Sequence, residues 1–470
     1  MNLKIYNSMT RTEEPFVPRE AGKVNMYVCG PTVYDYIHIG NARPVIFFDV
    51  ARRYLESQGL AVNYIVNFTD VDDKMIRKAN ELGCTVPELA ERFIAAFKED
   101  RDGLGAKPAT IQPRVTETIP EIIEFIDGLV KKGSAYENGG DVYFRTGTFP
   151  EYGKLSHKNL DELQYGIRID VDERKESPQD FVLWKAAKPG EIYWPSPWGD
   201  GRPGWHIECS AMVRKYASET LDIHGGGHDL QFPHHECEIA QSESLTGEPL
   251  SRYWMHNGFV NIDNQKMSKS LGNGINVRQL LKLAKKESIR YLMLATHYRS
   301  PLNFSDDILH QADRSVERLA NCRDNVMHRL STVAKGSLSL PQDEALQARL
   351  SDIQAEFNAR MDDDFGTPDA ITAWFGLVAE ANNYLQRESV SEADLLAILQ
   401  RIEEMDEVLG LLPAKEEEGL LDEEVDALIA ERAEARSSRN WKRADEIRDL
   451  LAERGIVLED TPQGMRWRRK

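Results

Sequence analysis

The sequence predicts an α/β protein: a parallel sheet that carries a small inserted domain, followed by an all-α helical bundle and a small C-terminal domain. Three observations predict this fold. Strand and helix signals alternate over the first third of the chain, the alternation stops between residues 134 and 200, and strand signals are nearly absent from Asp306 until residue 456. At 470 residues the chain is too long for one ordinary core, so several domains are expected.

The chain opens with alternating strand and helix signals. Residues 24–29 form a short apolar run that Gly30 closes, and residues 45–55 repeat apolar side chains at helical spacing. Residues 62–68 give a second strand signal, and residues 72–82 give a second helical one. Strand, helix and strand in this order imply a right-handed crossover between parallel strands, so we predict a Rossmann-type sheet.

The alternation breaks in the middle of the chain. Glu137-Asn138-Gly139-Gly140 predicts a hairpin turn, and the Trp- and Pro-rich residues 184–198 predict irregular structure. Residues 415–424 are acidic and resemble a linker. The predicted divisions are a sheet domain in two halves (1–133 and 201–257), an inserted connective domain (134–200), a hairpin-bearing segment (258–309), a helical bundle (310–412) and a C-terminal domain (425–470).

Composition limits the classes of function. The formal net charge of −19 argues against broad, non-specific nucleic-acid binding, although it leaves room for a local basic patch. The first 20 residues contain no apolar run, and no stretch approaches the roughly 20 apolar residues that span a bilayer. Five cysteines make a poor disulfide framework for this length. We therefore expect a cytoplasmic protein, no membrane partner, and thiols that are free to bind metal.

A phosphate-binding site is predicted between the first strand and the first helix. Residues 29–32 (Cys-Gly-Pro-Thr) leave the strand, and residues 38–41 (His-Ile-Gly-Asn) enter the helix. A helix N-terminus offers unpaired N–H groups and a partial positive charge, which suit phosphate. Gly40 allows a ligand close to the backbone, and His38 can donate a hydrogen bond to a phosphate oxygen. Taken alone, these residues equally fit an ordinary histidine near a helix cap.

A second motif lies far along the chain. Residues 266–270 read Lys-Met-Ser-Lys-Ser and precede Leu-Gly-Asn. Small polar residues suit a loop that closes over a triphosphate, and Lys266 and Lys269 could neutralise the charge that builds on departing pyrophosphate. A solvated basic loop is the alternative for this motif alone. The two motifs in this order favour an enzyme that activates a carboxylic acid with ATP.

Residues suited to metal binding accumulate around the first strand and further along the chain. Cys29 ends the strand, Cys209 lies downstream, and His234 and Glu238 are four residues apart, which puts them on one face of a helix. Together they form a Cys₂-His-Glu set suited to tetrahedral zinc. A structural role fits each of these residues taken singly. Other ligand candidates stay open, namely His206, His228, His235 and Cys237.

The two motifs resemble the signature motifs of the class I aminoacyl-tRNA synthetases, written HIGH and KMSKS. The second matches at every position, whereas the first has Asn41 in place of its last histidine. Further stretches narrow the resemblance to the cysteinyl-tRNA synthetases, and it runs along almost the whole chain. These stretches are residues 27–35, 67–74, 204–210 and 224–238. Within the last one, Cys237 replaces the asparagine that the family usually has.

The resemblance implies an activity and a set of site residues. The activity is ATP-dependent conversion of L-cysteine to cysteinyl-adenylate and its transfer to tRNA(Cys), with Mg²⁺ accompanying ATP and one Zn²⁺ per chain. The implied zinc ligands are Cys29, Cys209, His234 and Glu238, and the implied cysteine pocket is Cys29, Thr69, Trp205, His224 and Asp229. The implied catalytic residues are His38, Asn41, Lys266 and Lys269, and the implied ATP-binding residues are Gly30, Thr32, His38, Gly40, Asn41 and Lys269.

Zinc makes physical sense for a thiol substrate. Zn²⁺ binds thiolate well and an alcohol poorly, so it can reject serine, against which an apolar pocket gives only about 10²-fold discrimination. Direct contact with the thiolate would remove the need for an editing domain. The insertion at residues 134–200 is small for such a domain.

The helical half resembles the tRNA-binding half of these enzymes. The resemblance makes residues 258–309 the stem-contact segment, residues 310–412 the anticodon-binding bundle, and residues 425–470 a tRNA-binding segment. Residues 425–470 contain eleven Lys/Arg against nine Asp/Glu, and their Arg and Trp side chains suit phosphate contact and base stacking. A solvated amphipathic helix is the alternative for any one arginine. We expect a monomer.

Two other classes of function are weighed against this one. An amide-forming ligase on the same core would pass activated cysteine to an amino sugar, but such relatives lack a C-terminal module like residues 310–470. A catalytically silent RNA-binding or zinc-structural protein would be expected to have lost His38, Lys269 or Cys29, and all three are present.

Overall fold

The computed structural model describes residues 2–158, 174–266, 274–333, 340–414, 420–453, 456–461 and 464–469. The chain divides into two units. The first comprises Met1–Glu317, Asp352–Phe375 and Glu404–Leu411, and the second comprises Arg318–Ser351, Gly376–Glu403 and Leu412–Lys470. Within the described ranges, no helix has both the length and the apolarity that crossing a bilayer requires.

The first unit starts with a hairpin of β1 (Lys4–Asn7) and β2 (Thr12–Pro15) and continues with alternating strands and helices. These are β3 (Lys23–Val28), α1 (Ile39–Ser57), β4 (Ala61–Val66), α2 (Asp73–Leu82), α3 (Val86–Gly103) and α4 (Ile119–Lys131). Both ends of α2 are set by residues next to it in the sequence. Asp72 accepts a hydrogen bond from the Met75 N–H at 2.7 Å, and Gly83 ends the helix with φ of 65°.

The next part of the chain forms a separate antiparallel sheet, whose last strand lies beyond the insertion predicted at residues 134–200. Its strands pair in chain order: β5 (Ala135–Asn138), β6 (Asp141–Phe144), β7 (Phe181–Ala186) and β8 (Gly201–Pro203). Gly139 and Gly140 form the predicted hairpin turn, with φ of 68° and 86°. The prediction of irregular structure from residue 184 was wrong at its start, because Trp184 lies in β7 with its side chain fully buried.

The second half of the sheet domain completes the central sheet. Its elements are α5 (Trp205–Tyr216), β9 (Leu221–Gly227), α6 (Glu236–Thr246) and β10 (Ser251–Asn257). The four central strands lie in the order β10, β9, β3, β4, and every neighbouring pair is parallel. Tyr27 and Ile65 of the sheet belong to one buried apolar core with Ile122 and Phe125 of α4. The predicted α/β fold with a parallel sheet is confirmed.

A short mixed sheet and two helices follow. They are β11 (Val260–Ile262), β12 (Gln265–Lys266), α7 (Val277–Leu283), α8 (Lys286–Leu294) and β13 (Leu302–Phe304). β11 pairs antiparallel with β12 and parallel with β13. The remainder is helical until a final hairpin, as predicted: α9 (Asp306–Val333), α10 (Glu344–Asp362), α11 (Thr367–Leu385), α12 (Glu392–Leu409), α13 (Leu420–Ser437), α14 (Trp441–Glu453), β14 (Ile456–Thr461) and β15 (Gly464–Arg469).

Candidate functional site

A cavity of about 530 Å³ lies beyond the carboxyl ends of all four central strands. Its lining begins where each strand ends, at Val28 of β3, Val66 of β4, Gly227 of β9 and Asn257 of β10. Open parallel sheets hold their ligands at this edge, because the loops that leave the strands converge there. The cavity belongs to the first unit.

The predicted phosphate-binding residues line this cavity. Those brought together there are Gly30, Thr32, His38, Gly40 and Asn41. Helix α1 begins at Ile39, within the residues predicted to enter the helix, and the Asn41 Oδ1 accepts the His38 N–H at 3.1 Å and so caps the first turn. Asn41 therefore has a structural contact of its own at the helix N-terminus.

Gly30 is fixed by close packing. A Cβ atom at this position would lie 1.7 Å from the carbonyl oxygen of Asn67, and the Gly30 N–H donates to the Asn67 Oδ1 at 2.9 Å. Asn67 was not predicted as a site residue. Its position near the end of the second strand signal was the available clue, since the ends of neighbouring parallel strands meet at one edge.

Of the second motif only Lys266 is described, and residues 267–273, which include Lys269, lie outside the described residues. Lys266 ends β12, where its backbone pairs with Asn261. On the other side, the Val277 N–H donates to the Ile37 carbonyl and the Ile39 N–H to the Ile275 carbonyl, both at 2.9 Å. The chain that leaves the second motif is therefore paired with the backbone of the first.

The four predicted zinc ligands converge beneath the cavity. Their donor atoms lie within 4.8 Å of one another, and we call Cys29, Cys209, His234 and Glu238 the cavity set. The Sγ atoms of Cys29 and Cys209 are 3.8 Å apart, and the Cys209 Sγ is 3.5 Å from the His234 Nε2. Bonds of about 2.0–2.3 Å to a tetrahedral zinc imply edges of about 3.3–3.8 Å between its ligand atoms, so this set fits the ion.

A second group of donors overlaps the first. Cys29, His224, His235 and Glu238, which we call the inner set, also lie within 4.8 Å of one another. Cys29, Cys209 and His234 line the cavity, whereas the other donors do not. Because a substrate can reach only an ion that faces the cavity, the cavity set is the one suited to contact a substrate. Of the open candidates, His235 belongs to the inner set, and Cys237 faces the Tyr152 hydroxyl at 3.2 Å.

Charge is balanced inside this buried cluster. Burial raises the pKa of Glu238, but His224 and His234 outweigh it and hold the pKa at about 2. Burial likewise lowers the pKa of His234, but Glu238 and Cys209 outweigh it and raise the pKa to about 10. A divalent cation could replace the proton of His234, because ligand groups bind metal in their deprotonated forms.

The predicted cysteine-pocket residues divide into two groups. Thr69, Trp205 and Asp229 line the cavity beside Cys29. The Trp205 ring is 40% exposed and stacks on His234 at 4.4 Å between centroids. His224 does not reach the cavity, since it is fully buried, stacks on Trp254 and lies 2.8 Å from the Glu238 Oε2.

Three family models match separate parts of the chain. The family model described as "tRNA synthetases class I (C) catalytic domain" matches residues 15–314, and a "DALR domain" matches residues 356–413. The model described as "Cysteinyl-tRNA ligase anticodon binding domain" matches residues 418–468.

Curated relatives are similar over their full lengths. A protein of Brevibacillus brevis named "Cysteine--tRNA ligase" is 57% identical over 472 residues, and one of Anoxybacillus flavithermus with the same name is 55% identical over 469 residues. In both comparisons 100% of each chain is covered. Among solved structures, methionyl-tRNA synthetase of Mycobacterium tuberculosis has a TM-score of 0.61 at 17% identity, covering 83% of this chain and 90% of that one. This last likeness shows a shared fold.

Proposed function

Because the chain belongs to the cysteinyl-tRNA synthetases, a family of class I aminoacyl-tRNA synthetases, we propose that it uses ATP to charge tRNA(Cys) with L-cysteine. One observation carries the proposal beyond the family. Two thiols and an imidazole suited to zinc line the same cavity as the helix N-terminus suited to phosphate. A thiol amino acid and ATP can therefore meet in one place.

The first step forms cysteinyl-adenylate. A carboxylate oxygen of cysteine attacks the α-phosphorus of ATP, the bond to the bridging oxygen breaks, and pyrophosphate leaves. His38, Asn41 and the N–H groups at the start of α1 would bind phosphate oxygens, supported by their position in the cavity wall. Gly30, Thr32 and Gly40 would let ATP lie against the backbone. Lys266 and Lys269 would stabilise charge on departing pyrophosphate, which Mg²⁺ accompanies.

The second step transfers the acyl group. A hydroxyl of the terminal adenosine of tRNA attacks the adenylate carbonyl carbon, AMP leaves with the bonding electron pair, and the hydroxyl proton is released to solvent. In the proposed division of labour, residues 1–133 and 201–257 catalyse, residues 134–200 connect, and residues 258–309 contact the acceptor stem. Residues 310–412 and 425–470 bind the anticodon region.

The chain's own residues fit one zinc ion. Cys29, Cys209, His234 and Glu238 would hold it, supported by their spacing. When bound, zinc supplies a Lewis acid that takes a substrate thiolate as a further ligand and discriminates against the hydroxyl of serine. Thr69, Trp205 and Asp229 would orient the amino and carboxylate groups of cysteine from the cavity wall. His224 would act indirectly, because its Nε2 contacts the Glu238 Oε2 and so orients that ligand.

Cysteine-dependent ATP–pyrophosphate exchange, followed by charging of tRNA(Cys), tests the reaction. We expect both activities. Exchange without charging would favour the amide-forming ligase, and the absence of both would favour a silent binding protein.

The metal is tested at a ligand shared by both donor sets. Cys29→Ser should remove bound zinc and abolish exchange with cysteine, whereas Cys237→Ser, which changes a buried thiol outside both sets, should retain both. Zinc is measured by elemental analysis of the purified protein. Stoichiometric zinc in a folded Cys29→Ser protein would contradict the proposed site.

A further inference from the structure

The donor atoms beneath the cavity offer two positions for a metal ion. The cavity set and the inner set share Cys29 and Glu238 and differ in their other two ligands. We propose that the inner set is a second position for the same zinc ion, and that it retains the ion when the cavity set is incomplete. The inference rests on the proposed function, because it takes zinc as the metal of this site.

The spacing of the inner set suits a metal. The Cys29 Sγ lies 3.3 Å from the His235 Nε2 and 3.5 Å from the Glu238 Oε1. Both separations are near the edges of about 3.3–3.8 Å that a tetrahedral zinc requires. The His224 Nε2 closes the set at 2.8 Å from the Glu238 Oε2, a hydrogen-bond distance that a bound ion would widen. One thiolate, two imidazoles and one carboxylate form a complete four-ligand shell for zinc.

The shared carboxylate faces both positions at once. Its Oε1 lies 2.9 Å from the His234 Nε2 of the cavity set, and its Oε2 lies 2.8 Å from the His224 Nε2 of the inner set. The two oxygens therefore contact histidines of different sets, and Oε1 also lies 3.5 Å from the shared Cys29 Sγ. Because Cys29 and Glu238 belong to both sets, moving the ion from one position to the other exchanges only the two outer ligands.

His235 is oriented for ligation by a chain of contacts behind it. Its Nδ1 lies 2.8 Å from the His256 Nε2, and the His256 Nδ1 lies 2.8 Å from the Ser8 Oγ. Occupation of Nδ1 by a neighbour fixes the ring and leaves Nε2 for a metal, which is the usual arrangement of a ligating histidine.

The inner position is closed to substrate. The side chains of His224, His235 and Glu238 are 0% exposed, and none of them lines the cavity. A substrate thiol in the cavity could contact an ion bound by Cys209 and His234, but it could not reach an ion held in the inner position. The inner position would therefore store zinc without supporting cysteine activation.

The decisive variant removes both outer ligands of the cavity set. Cys209→Ser with His234→Ala leaves that set two ligands, whereas the inner set stays complete. We expect this double variant to keep about one zinc per chain and, after exchange of zinc for Co²⁺, about half of the wild-type thiolate-to-cobalt absorption, because one thiolate of two remains. Adding His235→Ala should release the metal. A folded double variant without zinc, or a triple variant that keeps it, overturns the proposal.

A matched control separates ligand loss from damage to the core. Cys237→Ser with His228→Ala removes the same two residue types and spares both sets, since Cys237 faces Tyr152 and His228 is exposed, so it should keep the wild-type cobalt spectrum. Circular dichroism establishes folding in each case.

If the double variant fails to fold, the single variant Cys209→Ser is used as the starting protein. In Cys209→Ser protein, adding His235→Ala should weaken zinc affinity at least tenfold against a competing chelator, and equal affinities would contradict the inner position. Wild-type protein that binds no zinc would instead overturn the proposed function itself, so the two failures are distinct.

Discussion

Glu238 illustrates, at the scale of one residue, how a charge is kept inside a core. The side chain is 0% exposed, yet two imidazoles lie within 2.9 Å of its oxygens. Desolvation of a lone carboxylate would favour its neutral form, whereas paired cations favour the charged one. With its pKa held at about 2, the carboxylate stays ionised near neutral pH and is ready to bind a metal.

Gly30 gives the first prediction. Gly30→Ala should reduce ATP–pyrophosphate exchange by at least about 100-fold, because the new Cβ, 1.7 Å from the Asn67 carbonyl oxygen, must push apart two strand ends that line the cavity. Exchange rates and thermal unfolding are measured together.

Gly376→Ala is the control for the glycine change. Gly376 is exposed within α11, and nothing lies within 4 Å of an added Cβ, so this variant should gain about 0.5–1 kcal/mol of stability with unchanged exchange. Normal exchange in Gly30→Ala protein would show that the close approach is not required.

At the scale of elements, Arg43 joins helix α1 to the segment that carries the second motif. Its side chain is 1% exposed and donates to the carbonyl oxygens of Gly258 at 2.9 Å, Phe259 at 3.1 Å and His297 at 3.0 Å. Burial lowers its pKa to about 10, so the guanidinium stays charged at neutral pH. Gly258 and Phe259 line the cavity, so Arg43 holds a cavity wall against the helix of the first motif.

Arg43→Met should cost about 2–4 kcal/mol of stability and raise the KM for ATP, because three backbone carbonyls lose their hydrogen bonds to a buried guanidinium and the cavity wall is released. The stability and KM of Arg43→Lys protein should lie between those of wild type and Arg43→Met, because an ammonium keeps the charge but lacks the planar fork that reaches several acceptors. Urea unfolding and exchange kinetics measure the two effects. A wild-type KM in a folded Arg43→Met protein would leave Arg43 with a purely structural role.

Asp73, at the start of α2, anchors the insertion to the sheet domain. Its carboxylate contacts the Lys185 Nζ at 2.5 Å and a guanidinium nitrogen of Arg202 at 2.5 Å. Partial burial would raise the pKa of Asp73, but these two cations outweigh it and hold the pKa at about 2. A lowered pKa means that the folded state favours the ionised form. The stabilisation is therefore present above the ordinary pKa of an aspartate and is lost as the pH falls towards 2.

Asp73→Asn should destabilise the protein by up to about 1 kcal/mol at pH 7, a small effect because the side chain is 55% exposed. The difference from wild type should shrink between pH 5 and pH 3. Asp127→Asn, which changes a partly exposed carboxylate paired with Lys131 on α4, is the control and should change stability by less than about 0.5 kcal/mol. A pH-independent difference would contradict the electrostatic explanation.

At the scale of the whole molecule, the cavity residues all belong to the first unit. The family model described as an anticodon binding domain matches residues 418–468, which lie at the end of the second unit. A protein that ends at residue 417 should therefore keep exchange within about threefold and lose tRNA charging by at least about 10²-fold, since each stacked base contributes about 1–3 kcal/mol. Parallel exchange and charging assays test this. An equal loss of both activities would indicate that the C-terminal part is needed for folding of the catalytic unit.

The sequence alone determined the features of this fold that depend on residues close together in the chain. Asp72 and Gly83 set the ends of α2, Gly139 and Gly140 set a hairpin turn, and alternating apolar runs set a parallel sheet, because each of these depends on neighbours in the chain. Residues 38–41 were likewise placed at the start of α1, which begins at Ile39.

Only the tertiary structure decided which of the many histidines and cysteines meet. The sequence offered eight ligand candidates without distances between them, because side chains up to about 200 residues apart in the chain are brought together by strand order and helix packing. The fold joined Cys29 to Cys209 and His234 at the cavity wall, turned Cys237 towards Tyr152, and put His224 and His235 behind Glu238. That last arrangement, a second set of donors on the far side of one carboxylate, has no signature in residue spacing, since it arises from packing between β9 and the turn before α6.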